Sequence, residues 1–188
     1  MYFQRVLRRG IRQLVEWTDA TAATVVYDSA GQPINHGDFA AKVRDQQNVA
    51  VITCTDRGFV FGAFFSARAP PNAYEWNDPG AFVFSLESHG LCETPRRFVP
   101  YDRTGVAVRV ADDFVGCCSI RGERPGPVGI FVSTGSLFFG DESAPRKLEK
   151  IDVVFDGAQA PFFIGAECAE AKKYLPVRLI AVQLTLFA

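Results

Sequence analysis

Two histidines, five cysteines and a scatter of carboxylates are the residues of this 188-residue chain whose types could do chemistry. His89 and Cys92 lie three apart in Glu87-Ser88-His89-Gly90-Leu91-Cys92, which is half of a tetrahedral zinc set. A second pair at ligand spacing is missing. Cys117 and Cys118 are neighbours, and neighbours on a strand point to opposite faces. Read instead as a nucleophile and its base, His89 and Cys92 need a cation or helix N-terminus to lower the thiol's pKa. They also need a third group to orient the imidazole, and the sequence names none. His36 sits in the turn-like Asn35-His36-Gly37 and reads as exposed and idle. Gly-x-Ser-x-Gly, Gly-Lys-Ser/Thr and His-Glu-x-x-His are all absent. Gly122, Gly126 and Gly129 do not match the dinucleotide fingerprint, and Pro125 and Pro127 among them suit a turn. Asp28, Asp56 and Asp78 stand close to Ser29, Gly58 and Pro79-Gly80, where carboxylates ordinarily shape turns rather than transfer protons. One chemical alternative survives: a peroxide-consuming thiol protein using Cys54, Cys92 or Cys117, or a hydrolase.

The elements that would position these residues are strands. Val49 to Thr55 and Phe59 to Phe65 are apolar runs joined by Asp56-Arg57-Gly58, a three-residue hairpin loop with glycine in its third place. Alternation puts Phe59, Phe61, Ala63 and Phe65 on one face and Val60, Gly62 and Phe64 on the other. Both faces are apolar, so the strand is expected inside a sheet covered on each side. Gly62 among aromatics predicts a bulge or a close approach by another backbone.

Around this hairpin the chain reads in order. Tyr2 to Trp17 is a helix, with Phe3, Leu7, Gly10, Leu14 and Trp17 forming its apolar seam and Arg5, Arg8, Arg9 and Arg12 a solvated face. Its rival role is a self-association module, pairing chains through Tyr2 to Trp17, although two heptads fall short of a coiled coil. Thr24 to Tyr27 is a short strand and Asp38 to Asp45 a short helix seated by Phe39 and Val43. Ala67 to Pro79 is a surface loop whose Tyr74 and Trp76 offer a partner surface. Gly105 to Ala111, Phe114 to Ile120, Val128 to Ser133, Ser136 to Phe139 and Ile151 to Phe155 are strands, with a charged loop over Asp141 to Lys150. Cys168 to Leu175 reads as helical turns before Pro176, and Val177 to Phe187 as the closing strand.

Composition narrows the class. The formal charge of −1 gives no global field for drawing in nucleic acid. No apolar run is long enough to span a membrane. An odd number of cysteines, two of them adjacent, argues for reduced thiols and a cytoplasmic setting. The pattern as a whole predicts a mostly β, α+β fold, with two antiparallel sheets packed as a β-sandwich and flanked by a few short helices.

Three phrases carry a family resemblance. Tyr27-Asp28-Ser29, then Asp56-Arg57-Gly58-Phe59-Val60-Phe61-Gly62, then Asp78-Pro79-Gly80-Ala81-Phe82-Val83-Phe84-Ser85-Leu86 occur in order. Together they resemble the TLDc domain of oxidation-resistance and nuclear-receptor-coactivator-like proteins, in a divergent, protist-type form. Ala63-Phe64 departs from that family's usual Gly-Tyr. The resemblance implies a β-sandwich over residues 19–188, preceded by a helix over 1–18 that can end a longer extension. Tyr27, Asp28, Ser29, Asp56, Gly58, Phe61, Gly62, Asp78, Phe82, Phe84, Ser85 and Leu86 would be structural signature residues. The implied role is non-enzymatic: protein contacts in oxidative-stress protection or in trafficking linked to the vacuolar-type ATPase. No catalytic, metal or cofactor residue is expected.

Overall fold

A computed structural model of the chain describes residues 2–32, 36–43, 46–68, 75–100, 106–110, 115–119, 130–132, 137–139, 156–159, 161–165, 173–174 and 176–187. The fold is mostly β. Its main body is a six-stranded antiparallel sheet in the order β1-β12-β2-β3-β5-β6. The strands are β1 (Ala20–Asp28), β2 (Val49–Thr55), β3 (Val60–Phe65), β5 (Phe82–Glu87), β6 (Arg96–Phe98) and β12 (Pro176–Leu186). A second ladder of six short strands runs β11-β10-β9-β8-β7-β4. It consists of β4 (Glu75–Asn77), β7 (Val106–Val110), β8 (Val115–Ser119), β9 (Ile130–Val132), β10 (Leu137–Phe139) and β11 (Lys173–Tyr174).

The central hairpin forms in the register its sequence predicts, from Val49 opposite Phe65 to Cys54 opposite Val60. Gly58, third in the loop, takes φ +87°, a left-handed conformation that glycine adopts without a Cβ penalty. Thr55 closes the turn twice: its N–H donates to Phe59 O at 2.9 Å, and its Oγ1 accepts from Phe59 N at 3.1 Å. Every residue of β2 and β3 is buried, as two apolar faces require. Gly62 is the close approach rather than the bulge, since a Cβ there would lie 1.8 Å from Val51 O. The ladder irregularity falls nearby, between Val60 and Phe61 on the β5 side.

One face of this sheet is covered by α1 (Tyr2–Thr18). Leu7, Gly10 and Leu14 are buried along its seam. They pack with Ala50, Ile52, Val60, Phe64, Phe82, Phe84, Leu86, Ile180 and Val182, while Phe3, Val6, Ile11, Val15 and Trp17 close the edges. Burial of this kind contributes roughly 1.5–3 kcal/mol per large aliphatic side chain. The helix stops at Asp19, whose φ of 54° is left-handed. Two of its last carbonyls find side-chain donors, Leu14 O from Thr18 Oγ1 at 2.8 Å and Trp17 O from Arg97 Nη1 at 2.6 Å. The apolar stripe considered for pairing chains is therefore occupied by the molecule's own sheet. Self-association through it would mean pulling the helix off.

Two small helices serve the rest of the sheet. In α2 (His36–Val43), Phe39 and Val43 are buried as expected, with the Phe39 ring edge-on to Tyr27 at 5.2 Å. In α3 (Pro161–Ile164), Phe163 packs against Phe61 and Phe98. The sequence pattern misses α3, which is a single turn and too short to show a period.

Several expectations need correction. β1 begins at Ala20, four residues before the predicted Thr24, because Ala20 to Thr24 pair with Leu186 to Gln183 of β12 despite weak local β propensity. The expected surface loop of 67–79 contains β4, which pairs with β7. Part of the predicted helical segment 168–175 is instead strand β11, drawn into a ladder with β10. β6 was not legible at all. The predicted strands over 105–111, 114–120, 128–133 and 136–139 appear as β7 to β10. The loop over 141–150, the strand over 151–155 and the first part of the 168–175 segment lie outside the described residues.

Candidate functional site

Built upward from the signature phrases, the site is a set of clasps. The first phrase ends β1. Tyr27 is buried. Asp28 receives both arms of Arg178 on β12, Nε to Oδ1 at 2.8 Å and Nη2 to Oδ2 at 2.6 Å, and its Oδ1 also accepts from Ala30 N. That guanidinium holds the Asp28 carboxyl below its ordinary pKa, and Asp28 in turn raises Arg178. Ser29, 3% exposed, prolongs the β1–β12 ladder by one step. Its N–H donates to Leu179 O at 3.0 Å, and its Oγ accepts from Leu179 N at 2.9 Å.

The second phrase is the hairpin turn. Asp56 is exposed at its tip, Gly58 supplies the left-handed residue, and Phe61 and Gly62 are buried in β3. The third phrase opens on Asp78, which is wholly buried. Its Oδ2 accepts from Ser66 N at 2.7 Å and Ala67 N at 3.0 Å, and its Oδ1 from Ser66 Oγ at 2.5 Å and Gly80 N at 2.9 Å. One carboxylate thus ties the end of β3 to the start of β5, closing the neck of the excursion that carries β4. Phe82 and Phe84 meet Trp17 under α1, and Leu86 lies against Gly10. Ser85 Oγ donates to Phe162 O of α3 at 2.7 Å.

His89 and the cysteines have the following surroundings. The His89 ring stacks on Tyr2, meets Phe59 edge-on at 4.9 Å, and donates from Nε2 to Arg57 O at 3.0 Å. A carbonyl oxygen can only accept, so that nitrogen carries a proton. The Cys92 N–H donates to Ser88 Oγ at 2.7 Å, and burial raises its thiol pKa against the lowering effects of Ser88 and Arg96. Cys54 is fully buried, and desolvation pushes its thiol up to about 12. Cys117 and Cys118 are successive residues of β8, opposite Val108 and Ala107. Burial, then the adjacent Glu87 carboxylate, raises the Tyr2 phenol. Among the described residues no group of three His, Cys, Asp or Glu side chains could hold a metal ion. Of the two loop aromatics offered as a partner surface, Trp76 is central in β4 and Tyr74 lies outside the described residues.

Two surface features have the shape of binding sites. One is a cleft of about 240 Å³ at the C-terminal end of α1, floored by Trp17, Phe64, Phe82, Val99 and Leu186. Arg97 stands at it, with its guanidinium 5.8 Å from the Phe82 ring. The other is the outer face of α1, where an open groove of about 710 Å³ is lined by Tyr2, Gln4, Arg5, Arg8, Arg9 and Arg12. Sequence reasoning noticed the arginines and set them aside as a solvated face. It missed the Arg97 cleft and the Arg178–Asp28 clasp, because partners 80 and 150 residues apart leave no local pattern. No protein-family model matches the chain, and no curated protein is similar to it.

Proposed function

We infer that the chain is a TLDc-like, non-enzymatic protein-interaction domain of the cytoplasm, built as a β-sandwich. The observation that carries this reading is the work done by the polar signature residues. Asp28, Ser29, Asp78 and Ser85 are each spent on a structural clasp, and none is left aimed into a cleft. Burial on the face of the first sheet opposite α1 supports the sandwich. Val49, Val51, Ala63, Phe65, Val83 and Ala181 are buried there. A single layer would leave that face wet, and the chain crosses to the second ladder between β3 and β5, so that ladder is the covering layer at hand.

The implied role is oxidative-stress protection or trafficking through protein contacts, with a vacuolar-type ATPase as the first partner to try. A thiol enzyme is disfavoured by the raised pKa of Cys54 and Cys92, because the thiolate is the reactive form. The test is capture of partners on the intact chain from cell lysate, identified by mass spectrometry. A partner that reproducibly binds back to the purified chain supports the reading, with the purified ATPase assayed directly beside it. Recovery of none contradicts it.

A further inference from the structure

We propose that the outer face of α1 is a docking surface for anionic phospholipid, holding the domain against a membrane by charge rather than by insertion. Arg5, Arg8, Arg9 and Arg12 fall at i, i+3, i+4 and i+7, and so share one face of the helix. Arg5 and Arg12 are separated by about 10 Å along the axis at 1.5 Å per residue. None of the four has a hydrogen-bond or ion-pair partner among the described residues, and the first three turns contain no acid. Four like-charge pairs result, at i,i+3 and i,i+4. They repel one another, and Arg5 stands in the first turn, where the macrodipole disfavours cations. An ordinary solvated helix face mixes signs, and this one keeps an arrangement that a multivalent anion would relieve.

The helix cannot bind by laying its apolar side into lipid, because Leu7, Gly10 and Leu14 are buried on the sheet. What it presents is a rigidly mounted row of guanidiniums beside an open groove, with Tyr2 half-exposed at one end. A tyrosine so placed sits well at headgroup level, where its ring and hydroxyl meet different surroundings.

Whole-molecule charge favours a membrane over a nucleic acid. The chain carries a formal −1, so a long polyanion would be repelled wherever it extended beyond this face. A planar anionic surface is met by one face alone, and its field dies within roughly 8–10 Å at physiological salt, so only the acids that border the face, Glu87 beside Tyr2 and Glu16 one turn beyond Arg12, oppose it. The proposal does not depend on the family reading.

The test is co-sedimentation of the full chain with phosphatidylcholine vesicles and with the same vesicles containing phosphatidylserine. The expected result is binding to the anionic vesicles only, abolished by high salt. Each Arg→Gln replacement should weaken it by about fivefold, from the usual contribution of one basic side chain at such a surface. Because the four side chains point outward and repel, R5Q, R8Q, R9Q and R12Q variants should melt no lower than wild type, which separates lost binding from lost folding. Equal binding to neutral vesicles, or anionic binding that survives the quadruple replacement, would overturn the proposal. So would tighter binding to a single-stranded RNA oligonucleotide at matched phosphate concentration.

Discussion

Asp78 offers the sharpest single-residue test of the structural reading, because all four groups around its carboxylate are donors. In Asp78→Asn an amide NH₂ must face two of those donors whichever way it is turned. Turned to the Oδ1 side, that amide can donate to the Ser66 hydroxyl, which also accepts, so at least one part-buried N–H, that of Gly80, loses its acceptor. At 1–3 kcal/mol for a polar group left unpaired, the variant should lose about 1–3 kcal/mol in urea denaturation. A change below about 0.5 kcal/mol, the usual size for a surface substitution, would refute the clasp. Asp28 makes a milder, pH-dependent statement. Its folded pKa is lowered by Arg178, so the pair's contribution is present above the unfolded carboxyl value of about 4 and is lost as pH falls through the folded one. The stability gap between wild type and Asp28→Asn should therefore stay constant from neutrality to about pH 4 and close below it. A gap that widened on acidification would carry the wrong sign.

At the scale of elements, two glycines separate backbone contact from side-chain contact. A Cβ on Gly62 would meet the carbonyl oxygen of Val51 at 1.8 Å, and that oxygen belongs to the sheet backbone and cannot move freely. Gly62→Ala should cost about 3 kcal/mol or more, at the upper end of overpacking effects. A Cβ on Gly10 would meet the Leu86 side chain, Cδ1 at 2.5 Å, Cγ at 3.3 Å and Cδ2 at 3.4 Å, and its closest atom is the far end of a side chain that can turn aside. The gain in helix propensity of about 1 kcal/mol offsets that shift, so Gly10→Ala should lie within about 1 kcal/mol of wild type. Chemical denaturation of the two variants side by side decides it, and equal losses would contradict the assignment. The same elements show what was legible. The central hairpin, its left-handed Gly58, the α1 seam and the closing strand follow from period, turn chemistry and apolar runs. β4, β6, β11 and α3 did not show, since each is two to four residues long and exists through a distant partner. The candidate site was half legible. The signature phrases could be quoted from the chain, but what their polar members hold could not, because Asp28 finds Arg178 only after β1 and β12 have paired.

Taken whole, the molecule has an apolar centre closed by α1 on one side, polar signature residues used as clasps, and thiols in Cys54 and Cys92 whose ionisation burial opposes more than the nearby Arg178 and Arg96 favour it. Its exterior carries the row of exposed arginines that crosses α1. Cys54 and Cys92 argue against a reactive thiol, since burial opposes ionisation in both, most of all in Cys54. The most direct measurement is hydrogen peroxide consumption by the intact chain, beside variants in which Cys54, Cys92 and Cys117 are each replaced by Ser. The account predicts wild type and all three variants at the background rate of buffer. Faster consumption by wild type that any one of these replacements abolishes would contradict it.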